Sequence, residues 1–160
     1  MDADKLNRWL TLGANVGVLV GLFILVAELR QTNSIAKADA INVMTQNSYS
    51  ILQMYRDPRN IAALGRVNEV GWEGLTSEEQ LLLSSVESMV ISHMQNAYFQ
   101  HKLGVDVDGY FEAIVWNLDQ YLRVDWRRAY WDGAKSSYTS EFRSFVDNKM
   151  EAISASMLSE

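Results

Sequence analysis

Between Arg8 and Glu28 the chain carries 19 consecutive residues without a charge, WLTLGANVGVLVGLFILVA. As a helix this run extends roughly 28 Å at 1.5 Å per residue, against a bilayer hydrocarbon core of about 30 Å. Eleven of residues 10–27 are Leu, Val, Ile or Phe. At about −0.3 to −0.6 kcal/mol each, they favour insertion by roughly 3 to 7 kcal/mol. Trp9 stands at one end, where an amphipathic ring suits the headgroup level. A signal peptide would have a shorter apolar stretch and a nearby small-residue cleavage site, and the A-x-A patterns at Ala36–Ala40 lie too far downstream. An interfacial helix would carry a charged face, which this run lacks. The pattern therefore predicts a transmembrane helix, with a cleaved leader and a buried core helix as the alternatives.

Gly13, Gly17 and Gly21 repeat at steps of four, which drift only about 40° each around a helix. They form one narrow strip where another helix backbone can approach closely, the usual driver of association in lipid. Glu28 falls only about 20° off that strip and continues it at the membrane boundary. Asn15 projects about 160° from Gly17, so its amide calls for a second, different hydrogen-bonded contact. The expected partners are the lipid bilayer and another transmembrane helix, from a copy of the chain or from a larger complex.

Neither Gly nor Pro occurs from Leu22 to Asp57, so the helix is expected to continue beyond the membrane as a stalk. Ala36, Ala40, Val43, Met44, Asn47, Ile51, Met54 and Tyr55 recur at three- and four-residue steps and make its less polar stripe. Asp57-Pro58 then reads as a cap and first helical position, starting a short helix that buries Ile61, Leu64 and Val67 and ends near Gly71. Thr76-Ser-Glu-Glu79 has the capping-box form. The helix after it places Val86, Met89, Val90, His93, Met94, Ala97 and Tyr98 on its inner face and stops near Gly104. Further helices are expected from near Asp108, with Phe111, Ile114, Val115, Leu118 and Leu122 inward, from an Asp125 cap, and from a Ser140 cap before Phe142, Phe145, Val146, Met150 and Ile153. The fold class is all-α: one N-terminal transmembrane helix continuing as a stalk into a small helical bundle. Residues 1–28 form the anchor with a short tail, and 29–160 the extramembrane domain.

Charge changes the picture by exclusion. With 14 Lys and Arg against 20 Asp and Glu, the net charge of −6 argues against nucleic acid as a partner. The absence of Cys removes disulfides, thiol nucleophiles and thiolate metal sites. Lys5 and Arg8 on one flank of the span equal Arg30 and Lys37 on the other, so the positive-inside rule gives a tie. A tail of mixed charge crosses easily, which tips the expectation toward a cytoplasmic C-terminal domain.

Catalytic and metal motifs do not emerge. Carboxylate–His centres in bundles use Glu-x-x-His pairs, but Val90 and Tyr98 stand three residues before His93 and His101. Glu87 and His93 lie about 120° apart on a helix. Asp106 and Asp108 suggest a calcium loop, yet the twelfth residue counted from Asp106 is Asn117, where that loop needs Glu. Turn and capping roles account for both aspartates. Phosphate loops, dinucleotide fingerprints and G-x-S-x-G are absent, so neither cofactor nor metal is expected.

The segment WNLDQYLRVDWRRAYW, from Trp116 to Trp131, concentrates three Trp, two Tyr and three Arg. Aromatic and Arg side chains dominate binding hot spots, so Trp116, Tyr121, Arg123, Trp126, Arg127, Arg128 and Trp131 are candidates for an interaction surface. Ordinary core packing is the competing reading, and the stronger one for so small a bundle.

The opening string WLTLGANVGVLVGLFILVAELRQ, followed by the Asp57-Pro58 turn, resembles a group of short bacterial membrane proteins. They share W-L-x-L-x-A-N-x-G-V-L-x-G-L ending in E-L-R-Q. The match is most specific over residues 8–31. The resemblance implies a single-pass protein of the bacterial inner membrane with a helical domain, and it transfers no catalytic residue. Together these readings predict a non-catalytic scaffold or accessory subunit of a membrane complex. The alternatives are a membrane-tethered enzyme or ligand receptor with a pocket in the bundle, and a toxin-like protein that perturbs the bilayer.

Overall fold

The computed structural model describes residues 3–105 and 109–157, with Leu6 described by its backbone alone. The described residues form six α-helices and no strand: α1 (Ala3–Arg56), α2 (Pro58–Val70), α3 (Ser77–Lys102), α4 (Tyr110–Leu122), α5 (Asp125–Ala134) and α6 (Ser140–Met157). Short 3-10 turns at Trp72–Gly74 and Lys135–Ser137 precede α3 and α6. The all-α expectation is met. The turn and capping roles assigned to Asp106 and Asp108 lie outside the described residues.

The chain divides into two units, Met1–Asp39 and Ala40–Glu160, and α1 supplies residues to both. In the first unit, no residue in the apolar window of α1 is buried by the rest of the chain. Phe23, for example, is 75% exposed. Thr11 is polar, but its hydroxyl donates to the Asn7 carbonyl at 2.9 Å, satisfying it within the helix. The helix is long and apolar enough to cross a membrane.

The second unit begins where the α1 stripe starts to be covered. Ala40, Met44, Asn47, Ile51, Met54 and Tyr55 are its least exposed positions, with Met44 fully buried. The helix ends at Arg56 because Asp57 adopts extended backbone angles and its carboxylate accepts from the Arg59 N–H at 2.9 Å. Pro58 then occupies the first helical position, where its missing N–H costs nothing. Asn60 reaches back from α2 and donates to the Met54 carbonyl at 2.8 Å, which also accepts from the Asp57 N–H at 3.2 Å, so the end of α1 is tied to the start of α2.

Asn60, Ala63 and Val67 form the buried face of α2, whereas Ile61 is exposed. Of the three residues expected inside, Val67 is buried and Leu64 packs against the second core cluster, so only Ile61 is corrected. The Asn60 bond to α1 fixes the rotation of the helix and turns Ile61 outward. Gly71 ends α2 at a positive φ of 72°, a conformation in which its N–H returns to the Val67 carbonyl.

Helix α3 is the centre of the unit, packed against α2 and α4. It starts on the expected capping box, with both reciprocal Thr76–Glu79 bonds present. Its buried set is Leu83, Val86, Glu87, Ile91, His93, Met94 and Ala97. Met89 is exposed instead. Glu87 and His93 lie on opposite sides of one amphipathic stripe, yet both are buried, because neighbours cover α3 over a wide arc. Ile91, Met94, Leu118, Leu122, Trp131, Phe142 and Val146 belong to the main core, and Ala63, Val67, Leu75, Leu83 and Trp126 form a second cluster. Helix α5 begins after Val124 rather than on an Asp125 cap; Asp125 is instead the first helical residue and pairs with Arg128.

Candidate functional site

The first candidate is the glycine strip of α1. A Cβ added at Gly13, Gly17 or Gly21 meets no atom within 4 Å apart from the helix's own adjacent backbone. The missing side chains therefore serve no packing within the monomer. Asn15 and Glu28 are exposed as well. The space these residues leave open is available to another molecule.

The second candidate is a cavity of about 460 Å³ in the second unit. Helix α1 contributes Ser48, Ile51 and Tyr55, α3 contributes Val90, His93 and Met94, α4 contributes Tyr110, Ile114 and Tyr121 among others, and α5 contributes Arg127. Its size falls within the range of small-molecule pockets, roughly 300–1,000 Å³, and its wall mixes aliphatic side chains with a few polar groups.

Glu87 stands beside this wall with 0% of its surface exposed. Its Oε1 accepts a long bond from the Tyr55 hydroxyl at 3.5 Å and lies 3.7 Å from Arg127 Nε. The Tyr121 hydroxyl also acts on the carboxyl, though outside strict hydrogen-bond geometry, and Oε2 has no partner. Burial pushes the Glu87 carboxyl above the usual carboxylate range, while the Arg127 charge and the two hydroxyls pull it down. The same low-polarity surroundings and the nearby carboxylate raise the Tyr55 phenol to about 12. Tyr121 is driven upward by the same causes in the same order.

Arg127 is held by more than the ion pair. Its guanidinium carbon lies 4.8 Å from the Tyr121 ring centre and 5.1 Å from that of Trp126, both favourable cation–π placements. Its direct hydrogen bond to Tyr55 is long, 3.5 Å, and Nε has no hydrogen-bond partner. Across the cavity His93 is only 9% exposed. The Tyr110 hydroxyl lies 2.9 Å from its Nε2 and the Ser48 hydroxyl 3.5 Å, whereas Nδ1 is buried without a partner. Desolvation lowers the His93 pKa and so favours the neutral ring.

The aromatic–Arg segment is distributed between inside and outside. Trp131, Trp126 and Tyr121 are buried, while Trp116 is 63% exposed and Arg123 is also exposed. Trp131 donates to Asp147 Oδ1 at 2.8 Å, and Trp126 donates to Asn68 Oδ1 at 3.2 Å and stacks on Trp72. Arg128 donates to the Leu122 carbonyl at 2.8 Å, at the end of α4. The seven residues thus share no single face: Tyr121 and Arg127 meet at the cavity, and Trp116 and Arg123 face solvent.

Glu87, Tyr55 and Tyr110 were not singled out as site residues from the sequence. The only local signal for Glu87 was an acidic residue amid the inner-face positions of α3. Among the described residues, no cluster of three or more His, Asp or Glu is placed to hold a metal ion. Comparison with known proteins adds no assignment: no family model, curated protein or solved structure matches the chain.

Proposed function

We propose that the chain is a non-catalytic, single-pass protein of the bacterial inner membrane, acting as a scaffold or an accessory subunit. In this reading residues 9–27 span the lipid, and Gly13, Gly17 and Gly21 pack against another transmembrane helix. The observation that carries it is the bare strip: apolar residues surround three glycines whose absent side chains relieve no contact within the chain. The near-even charge flanks favour a cytoplasmic domain only through the ease of moving the short tail.

The test is the mass of the full chain extracted from membranes in mild detergent. A defined homo-oligomer marks a scaffold, and co-purifying foreign subunits mark an accessory protein. Gly17→Ile combined with Gly21→Ile should reduce either assembly to the single chain while leaving helicity unchanged. Recovery of the intact wild type as a monomer from the soluble fraction overturns the membrane reading. An unchanged assembled mass in the double variant overturns the glycine contact.

A second reading, a membrane-tethered ligand receptor, is favoured by the cavity beside Glu87. Polar side chains line an open space of ligand size there, and three of them, His93, Tyr121 and Arg127, each hold a buried atom without a hydrogen-bond partner. Such groups are uncommon in folded proteins and call for a physical account.

A further inference from the structure

We propose that the cavity formed by α1, α3, α4 and α5 binds a small carboxylic acid with an apolar body, its carboxylate on the terminal nitrogens of Arg127. This inference rests on the receptor reading and names the ligand class for that site. Two features of the cavity select the charge. An aromatic wall beside a buried acid would ordinarily suit a cation, through ring faces and the carboxylate. Here Arg127 already holds that place, over the Tyr121 ring and next to Glu87. A ligand cation would meet a resident positive charge, whereas an anion meets a guanidinium whose side chain keeps 22% of its surface exposed and whose terminal bond to Tyr55 is long.

His93 stands in the wall of the same cavity and reports on its occupancy. It lines the cavity and is nine-tenths buried, with the Tyr110 and Ser48 hydroxyls beside its Nε2. Ile51, Val90, Met94 and Ile114 supply the apolar wall for the body of the ligand. Burial raises the Glu87 pKa, which lowers the repulsion an incoming carboxylate would feel. Arg127 and the apolar surface together describe an amphipathic acid.

The chain contains only two histidines, so the His93 ring can be followed alone by nuclear magnetic resonance in the full-length protein in detergent micelles. A His101→Gln variant assigns the two ring signals. The probes are phenylacetate, 4-phenylbutyrate and octanoate, each with its matching amide and amine. The carboxylates should move the His93 signal saturably, with amides and amines at least about tenfold weaker. Arg127→Gln should weaken carboxylate binding at least about tenfold, and Arg127→Lys by less, with the unliganded His93 signal reporting that the fold persists. Amides or amines that bind as well as the acids overturn the carboxylate class and leave the receptor reading standing. Undiminished binding by Arg127→Gln overturns the anchor. If no probe moves the His93 signal, the receptor reading itself falls.

Discussion

Arg127 Nε stands 3.7 Å from Oε1 of Glu87, a carboxyl without exposed surface. The two residues come from α5 and α3 and are separated by 40 positions, so the bundle and not local sequence creates the pair. An isolated buried carboxylate would be severely penalised. At this distance the guanidinium compensates only in part, and burial remains the larger influence on the Glu87 proton. The pair is therefore weak as a stabilising device, in line with the general cost of desolvating both ions.

A pH dependence follows with a definite sign. The folded state holds the Glu87 proton above its ordinary pKa of 4.5, so it binds more protons there than the unfolded chain. Stability from this group is complete below 4.5 and falls as pH rises through the folded value. His93 acts oppositely: its pKa is lowered from 6.5, so stability falls as pH drops below 6.5. Denaturant unfolding of the full chain in detergent should show Glu87→Gln gaining on the wild type as pH rises from 4.5. The slope should reach at most roughly 1.4 kcal/mol per pH unit and then level off. Parallel curves for the two proteins between pH 4 and 8 would remove Glu87 as a titrating buried group.

The helical class, the Asp57-Pro58 turn and the start of α3 were legible because each rests on local chemistry. Thr76 and Glu79 are three residues apart, and their mutual bonds need no other part of the chain. Leu64 and Val67 of α2 were legible by periodicity, but the burial of Asn60 in place of Ile61 was not, since it depends on Asn60 finding the Met54 carbonyl across a turn. Glu87 was missed for a related reason. Periodicity reads a charged residue as solvent-facing, and its partners Tyr55 and Arg127 lie 32 residues before it and 40 after it. A central helix also buries a wider arc than an amphipathic stripe, so Ile91 was overlooked while Met89 was placed inside. The cavity draws on four helices, and no spacing within one of them announces it.

The local origin of the α3 start gives a second prediction. In the wild type the Glu79 N–H donates to the Thr76 hydroxyl oxygen, and the Thr76 N–H donates to the Glu79 carboxylate at 2.8 Å. Thr76→Ala removes the acceptor of the first bond and leaves a first-turn N–H to water. The loss should be about 1 kcal/mol in global stability. Thr76→Ser should retain most of it, because only a methyl group is removed. Denaturant titration of the three proteins ranks them, and faster amide exchange confined to the first turn of α3 would place the effect.

The aromatic segment offers a contrast between two residues of one type. Trp131 is 1% exposed, packs against Tyr138 and Phe142, and satisfies its indole N–H on Asp147. Trp131→Ala removes a large buried ring and strands the Asp147 contact, so it should cost about 3–5 kcal/mol. Trp116 projects from α4 with most of its surface in solvent, and Trp116→Ala should change stability by no more than about 0.5 kcal/mol. Acrylamide should quench the fluorescence lost in Trp116→Ala strongly, while the buried indoles of Trp126 and Trp131 remain protected. Equal destabilisation by the two substitutions would mean that another molecule covers Trp116. In that event Trp116 and the neighbouring exposed Arg123, rather than the whole run to Trp131, would mark where it sits.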